Sequence, residues 1–238
     1  MPRKHAKEMS KDEFRSAMKE NPIVILPIGA MEEHGSHLPL GTDTFEVEYV
    51  VDRLADRLNA IVLPTVPYGE CRSTYNFPGT ISLSFDTLKS IATDIISEVL
   101  RHKGRRMLII SGHAGGNHMV ALKLAAQEAV RQNRDLKIMV LSDYDLVPDF
   151  KEAKIPEWDG HAGMAETSRM LNIRPDISRK GRQATKPKSP EHMILPDPER
   201  LFPSGIMGDP RKASPELGSR IDDFILRRLV AMIRKNLD

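Results

Sequence analysis

Residues 23–43 read Ile23-Val-Ile-Leu-Pro-Ile28-Gly29-Ala-Met-Glu32-Glu33-His34-Gly35-Ser-His37-Leu-Pro-Leu-Gly41-Thr-Asp43. The first six form a short, β-branched apolar run that stops at a glycine, the pattern of a buried strand. Comparable runs recur at residues 60–66, 106–110 and 136–141. Between them the apolar residues fall at helical spacing. Residues 43–59 carry Val47, Val50, Val51, Leu54 and Leu58, with Asp43 or a neighbouring threonine as N-cap. Residues 85–103 repeat the pattern up to Gly104, and residues 116–132 form an Ala- and Leu-rich helix. A short helix is expected over 163–171 and a closing one over 214–236, where Ser214-Pro215-Glu216 is the capped start. Strands alternating with helices require right-handed crossovers, and hence an α/β fold with a parallel sheet covered on both faces.

Residues 172–212 hold many prolines and few periodic runs. They read as an irregular excursion, with one extra strand near Met193-Ile-Leu195. No repeat or low-complexity tract interrupts the chain, so residues 1–238 read as a single domain. That length is enough for one sizeable core.

The charge balance excludes one class of partner. The chain has 35 Lys and Arg against 33 Asp and Glu, a net charge of +2. That is too weak a field for non-specific nucleic-acid binding. The single cysteine, Cys71, permits neither an intrachain disulfide nor a Cys-rich zinc module. No apolar run approaches the roughly 18–20 residues of a membrane span. The first twenty residues are polar throughout and lack the apolar stretch of a secretion signal. The expectation is a cytoplasmic protein without a membrane or nucleic-acid partner.

In an open α/β sheet, ligands bind beyond the carboxyl ends of the strands. After the first strand, Glu32, Glu33, His34 and His37 fall within six residues, and Asp43 follows. His, Asp and Glu together suit zinc, manganese or iron; a solvated loop with a capping aspartate is the plainer alternative. After the third strand comes Ser111-Gly112-His113-Ala-Gly-Gly-Asn117-His118. It reads as a metal-facing turn, an anion-binding turn or simply a tight connection. Further on, Trp158-Asp159-Gly160-His161 precedes Glu166 at a helix start, where a carboxylate also suits the helix dipole. The second strand leads into Tyr68-Gly-Glu70-Cys71-Arg72-Ser73-Thr74-Tyr75, a polar and aromatic loop fit to face a substrate. Cys71 has no accompanying thiol signature that would mark it as a nucleophile. Five of the eight histidines (34, 37, 113, 118 and 161) fall in these strand-end clusters. Scattered surface histidines would not concentrate this way.

Together these motifs resemble the creatinine amidohydrolase (creatininase) family. The resemblance rests on residues 29–39 with Asp43, and on Phe77-Pro-Gly-Thr-Ile-Ser82. It continues through Gly112-His113-Ala-Gly-Gly-Asn117, His161-Ala-Gly163 with Glu166-Thr-Ser168, and Gly208-Asp-Pro210 with Ala213-Ser214. It implies a three-layer α/β/α fold and a site for two divalent metal ions (Zn²⁺, Mn²⁺ or Fe²⁺). It also implies a hydrolase acting on carbon–nitrogen bonds of small amides, and a homo-oligomer such as a ring-like or dihedral hexamer. By resemblance Glu32 and His113 would bind one ion and His34 the other, with Asp43 bridging. Gly115 stands where creatininase itself has a ligating carboxylate, so Glu166 is the natural replacement; this departure points away from creatinine as the substrate. His161, with Glu166, would serve catalysis by moving the proton. Ser73, Tyr75, Trp158 and Asp159 would contact substrate, while Glu33, His37 and Asn117 would orient the ligands by hydrogen bonds.

The family also contains formamide hydrolases of flavin and deazaflavin synthesis and peptidases of peptide-cofactor maturation. A metal-dependent phosphoesterase is a further alternative, with Arg72, Arg169 and the Gly115-Gly116 backbone as phosphate contacts. A non-catalytic binding protein on the same fold would have no need of the whole ligand set.

Overall fold

The computed structural model describes residues 4–181, 183–188 and 192–237. The chain enters through helix α1 (Lys11–Lys19) and strand β1 (Ile23–Ile28), followed by α2 (Thr42–Ala55) and β2 (Ala60–Val62). Helix α3 (Phe85–Arg101), β3 (Arg106–Ser111), α4 (Gly116–Gln132) and β4 (Lys137–Ser142) come next. Helices α5 (Met164–Ile173) and α6 (Pro215–Leu237) close the chain. The sheet order is β2-β1-β3-β4, all parallel, with Ile23 of β1 opposite both Ala60 and Arg106.

Alternate strand residues point to opposite faces. Ile23, Ile25, Leu108 and Ile110 pack with α2 and α6, including Val47, Leu54, Ile221 and Leu229. Val24, Leu26, Ile28, Met107 and Ile109 pack with α3 and α4 through Leu88, Ile96, Ala121 and Leu122. The result is the expected three-layer α/β/α arrangement.

Strand β1 is continued by α2 on one face towards β2, on one side of it. The chain then returns through α3, on the other face, to β3 on the other side. The loops leaving β1 and β3 therefore diverge, and a crevice opens between their carboxyl ends. Both histidine-bearing loops start at this crevice.

The structure departs from the sequence expectations in four places. Strand β2 ends at Val62 rather than 66, because Pro64 has no N–H for the ladder. Gly41, not Asp43, is the N-cap of α2, which leaves Asp43 in the first turn with its carboxylate free for other work. No strand forms at Met193–Leu195, where Ile194 is 93% exposed; the local pairing is instead a bridge between Thr185 and Gly208. Helix α1 was not expected in so polar a segment. It starts from a capping box, in which the Ser10 hydroxyl accepts from the Glu13 N–H and the Glu13 carboxylate accepts from the Ser10 N–H.

Candidate metal centre

Three loops supply the centre. From the β1 loop, His34 is wholly buried and its Nδ1 lies 3.2 Å from the Glu32 carbonyl, to which it donates. That contact turns Nε2 inward, 3.2 Å from Asp43 Oδ1 and 3.7 Å from Glu166 Oε2. From the β3 loop, His113 donates Nε2–H to the Glu70 carbonyl at 3.0 Å. Its Nδ1 then faces Glu32 Oε2 at 2.9 Å and Asp43 Oδ2 at 3.4 Å. Asp43 thus presents one oxygen to each histidine. A Cβ at Gly112 would collide with the Asp43 carbonyl, so only glycine lets β3 run this close to the start of α2. In the third loop, Ala162 adopts φ 52°, a left-handed conformation costly for an L-residue. Its N–H donates to Glu166 Oε2 at 2.5 Å and holds that carboxylate at the centre.

The donor atoms fit cations. Glu32 Oε2, His34 Nε2 and Asp43 Oδ2 are buried and have no hydrogen-bond partner. Buried polar atoms without a hydrogen bond cost on the order of 1–3 kcal/mol each, so three that converge on one point suit a shared cation better than ion pairing with protonated rings alone. The ligand atoms of His34, Asp43 and Glu166 lie within 4.8 Å of one another, as do those of Glu32, Cys71 and His113. Such mixed nitrogen, oxygen and sulfur sets suit divalent transition metals.

Electrostatics tell the same story. Burial favours a neutral His34 ring, but Asp43 and then Glu166 outweigh it and raise its pKa to about 10. Burial also opposes charge on His113, yet Glu32 and Asp43 hold its pKa well above the ordinary histidine range. Burial would raise Glu32, but His113 and His161 bring it down to about 2. Asp43 likewise lies below the usual carboxylate range despite its burial, chiefly through His34. Ring protons therefore balance the carboxylates where ligated cations would.

His161 stacks on His34 with ring centres 4.2 Å apart. Its Nε2 lies 2.7 Å from the Glu33 carbonyl and 3.2 Å from Glu33 Oε1, which leaves Nδ1 towards Glu32 Oε2 at 4.0 Å. Burial and the His34 charge disfavour protonation of His161; Glu32, Glu33 and Glu166 outweigh them and raise its pKa. Glu33 is itself pinned by the Gly35 N–H at 2.9 Å, and Gly205, at φ 68°, approaches it too closely for any side chain. His37 contacts the Thr167 hydroxyl at 2.9 Å; burial and the nearby His34 charge lower its pKa to about 4.

The other expected site residues are placed unevenly. Ser73 and Asn117 line a cavity of about 540 Å³ that reaches His113 and also involves Glu70, Arg72 and Met193. Tyr75 is 56% exposed and lies outside that lining. Trp158 is half-buried in the turn before His161. Asp159 does not offer a free carboxylate: it accepts from the Met164 and Ala165 N–H groups at 2.7 and 3.0 Å, fixing the start of α5. Arg169, expected as a phosphate contact, is wholly buried and bound at 2.7 Å to each of Glu46, Asp143 and Asp222. Asn117 is exposed and makes no described hydrogen bond to Glu32, His34, Asp43, His113 or Glu166; other residues make such contacts. Thr74 donates to Glu32 Oε1, and His118 bonds Ser111 and the Glu70 N–H. Thr74 lay in the loop marked as substrate-facing; the Glu70 contribution is a backbone carbonyl, for which no residue type is a signal.

The chain matches the family model for creatinine amidohydrolase over residues 7–233. It is 32% identical over 231 residues to the creatinine amidohydrolase of Pseudomonas putida, covering 90% of this chain and 89% of that protein. It is 30% identical over 230 residues to a mycofactocin precursor peptide peptidase of Mycobacterium tuberculosis, covering 87% and 84%. A solved manganese creatininase superposes with a TM-score of 0.88 at 29% identity, covering 98% of each chain. The chain belongs to the creatinine amidohydrolase (creatininase) family of metal-dependent amidohydrolases.

Proposed function

We propose that this chain hydrolyses a carbon–nitrogen bond of a small, non-peptide amide, a cyclic amide or formamide, at a centre built around Asp43. The observation that carries this is the pair of Asp43 oxygens, one facing His34 and the other His113, at 3.2 and 3.4 Å. Glu32, His113 and Asp43 would hold one divalent cation, and His34, Asp43 and Glu166 the other. Two such cations supply a water acidified towards neutrality and polarisation of the amide carbonyl. The protein's own part is orientation and proton transfer. The carbonyls of Glu32 and Glu70 fix the ring tautomers of His34 and His113. Glu33 holds His161 through Nε2, so its Nδ1 is the atom that delivers a proton to the leaving nitrogen. Ser73 and Asn117 line the approach, and Tyr75 and Trp158 are read as its outer aromatic contacts.

The test is a panel of creatinine, N-formyl pyrimidines and short peptides. Each is assayed after chelation and again after Mn²⁺ or Zn²⁺ is returned. Metal-dependent turnover of a non-peptide amide is expected; turnover that survives chelation refutes the reading. A second reading, cleavage of a short peptide, is favoured by the apolar Met193 and Ile194 on the cavity wall, and release of peptide fragments would select it. The loss of Arg169 to the interior weakens the phosphoesterase reading.

We further infer that residues 1–238 act as one domain, in the cytoplasm, as a homo-oligomer with the hexamer as its form. The two cores sharing one sheet support the first point. No helix among the described residues is long and apolar enough to cross a membrane. Light scattering of the purified protein reads the assembly directly.

A further inference from the structure

Cys71 is the one cysteine of the chain, and it is only 1% exposed. A buried cysteine that merely packs sits among apolar neighbours. The Cys71 sulfur instead lies within 4.8 Å of ligand atoms of both Glu32 and His113. Its backbone is held in place by an N–H donated to Ser82 Oγ at 2.8 Å. Glu32 Oε2 and Asp43 Oδ2, both buried and without a hydrogen-bond partner, face His113 Nδ1 at 2.9 and 3.4 Å. One thiol, one imidazole and one carboxylate oxygen therefore gather in one half of the centre, with Asp43 Oδ2 approaching it on the His113 side. The other half, formed by His34, Asp43 and Glu166, contains nitrogen and oxygen donors only.

We propose that Cys71 is a metal ligand, joining Glu32, His113 and Asp43 around one cation and making that half of the centre selective for zinc. This rests on the two-cation reading given above. A thiolate is a soft donor that favours zinc, while carboxylates with a single imidazole accept manganese readily. The thiol proton passes to solvent as the zinc–sulfur bond forms, with no change of oxidation state.

X-ray absorption on the full chain loaded with one equivalent of zinc tests this. It should resolve one sulfur at about 2.3 Å beside nitrogen and oxygen at about 2.0–2.1 Å. Cobalt in place of zinc should give near-ultraviolet thiolate charge-transfer absorption in the wild type and none in Cys71→Ser. The same variant should lose zinc-over-manganese preference by about tenfold or more, because losing the thiolate weakens zinc binding more than manganese binding. A nitrogen- and oxygen-only shell, with no charge-transfer band in the wild type, overturns the proposal and leaves the two-cation reading intact. Failure to bind any ion overturns both. The wild-type spectra decide the matter even if Cys71→Ser does not fold.

Discussion

Loading the metal-free protein with manganese should release about two protons per chain, and its affinity should climb with pH. His34 has a pKa of about 10 in the metal-free protein, and His113 lies well above its ordinary value, so both rings are protonated at pH 7.5. Each must free its inward nitrogen to ligate, Nε2 in His34 and Nδ1 in His113, because the other nitrogen is occupied by a backbone carbonyl. Removing the His34 proton at pH 7.5 costs about 1.4 kcal/mol for each unit between 7.5 and 10, or about 3 kcal/mol. That weakens the intrinsic affinity by a factor on the order of 300. Apparent affinity should therefore rise about tenfold per pH unit for each proton displaced. Calorimetric titration in buffers of equal pH but different ionisation enthalpy counts the protons. A count near zero, or an affinity flat between pH 6.5 and 8.5, would show that the histidines do not stand in for cations. The sign for stability runs the other way in the metal-free protein. The His34 contribution is fully present below its unfolded pKa of 6.5 and fades as pH rises through about 10.

Three substitutions probe the remaining geometry. Asp43→Ala should lower bound metal from about two equivalents to one or fewer by elemental analysis, since its two oxygens face both histidines; an unchanged content contradicts the bridging position. His161→Ala should keep its metal but lose about 10²–10⁴ in kcat, and full turnover would remove His161 from proton transfer. Arg169→Met should destabilise the fold by about 3–5 kcal/mol in denaturant titrations, because Glu46, Asp143 and Asp222 lose their shared buried cation; a loss below about 1 kcal/mol argues against that network.

The fold was legible because parallel strands buried on both faces spell continuous apolar runs, as Ile23–Ile28 does. The β1 cluster was legible because Glu32, His34 and Asp43 are close in sequence, and His113 because it directly follows a strand. The assignment of Glu166 needed the family resemblance; a carboxylate in a first helical turn reads equally well as dipole complementarity. Asp43 looked like a cap because aspartate caps helices well, and only the backbone geometry at Gly41 shows that it does not. Helix α1 was hidden by its polarity, although Ser10 and Glu13 carried its capping signature. Arg169 was misread because its three partners come from α2, the segment after β4 and α6, and no spacing in the chain links them.

The candidate ligand residues lie on segments far apart in the chain, after β1, after β3 and in the first turn of α5. Cations bound there would staple these segments together from the inside, as a set of cross-links that exists only when metal is available. The α5 segment, held at the centre through Glu166 and the left-handed Ala162, would be the arm such a staple catches last. Metal scarcity would then be felt first as loosening of this arm, and protease nicking near residues 158–163 would report it before the sheet opens.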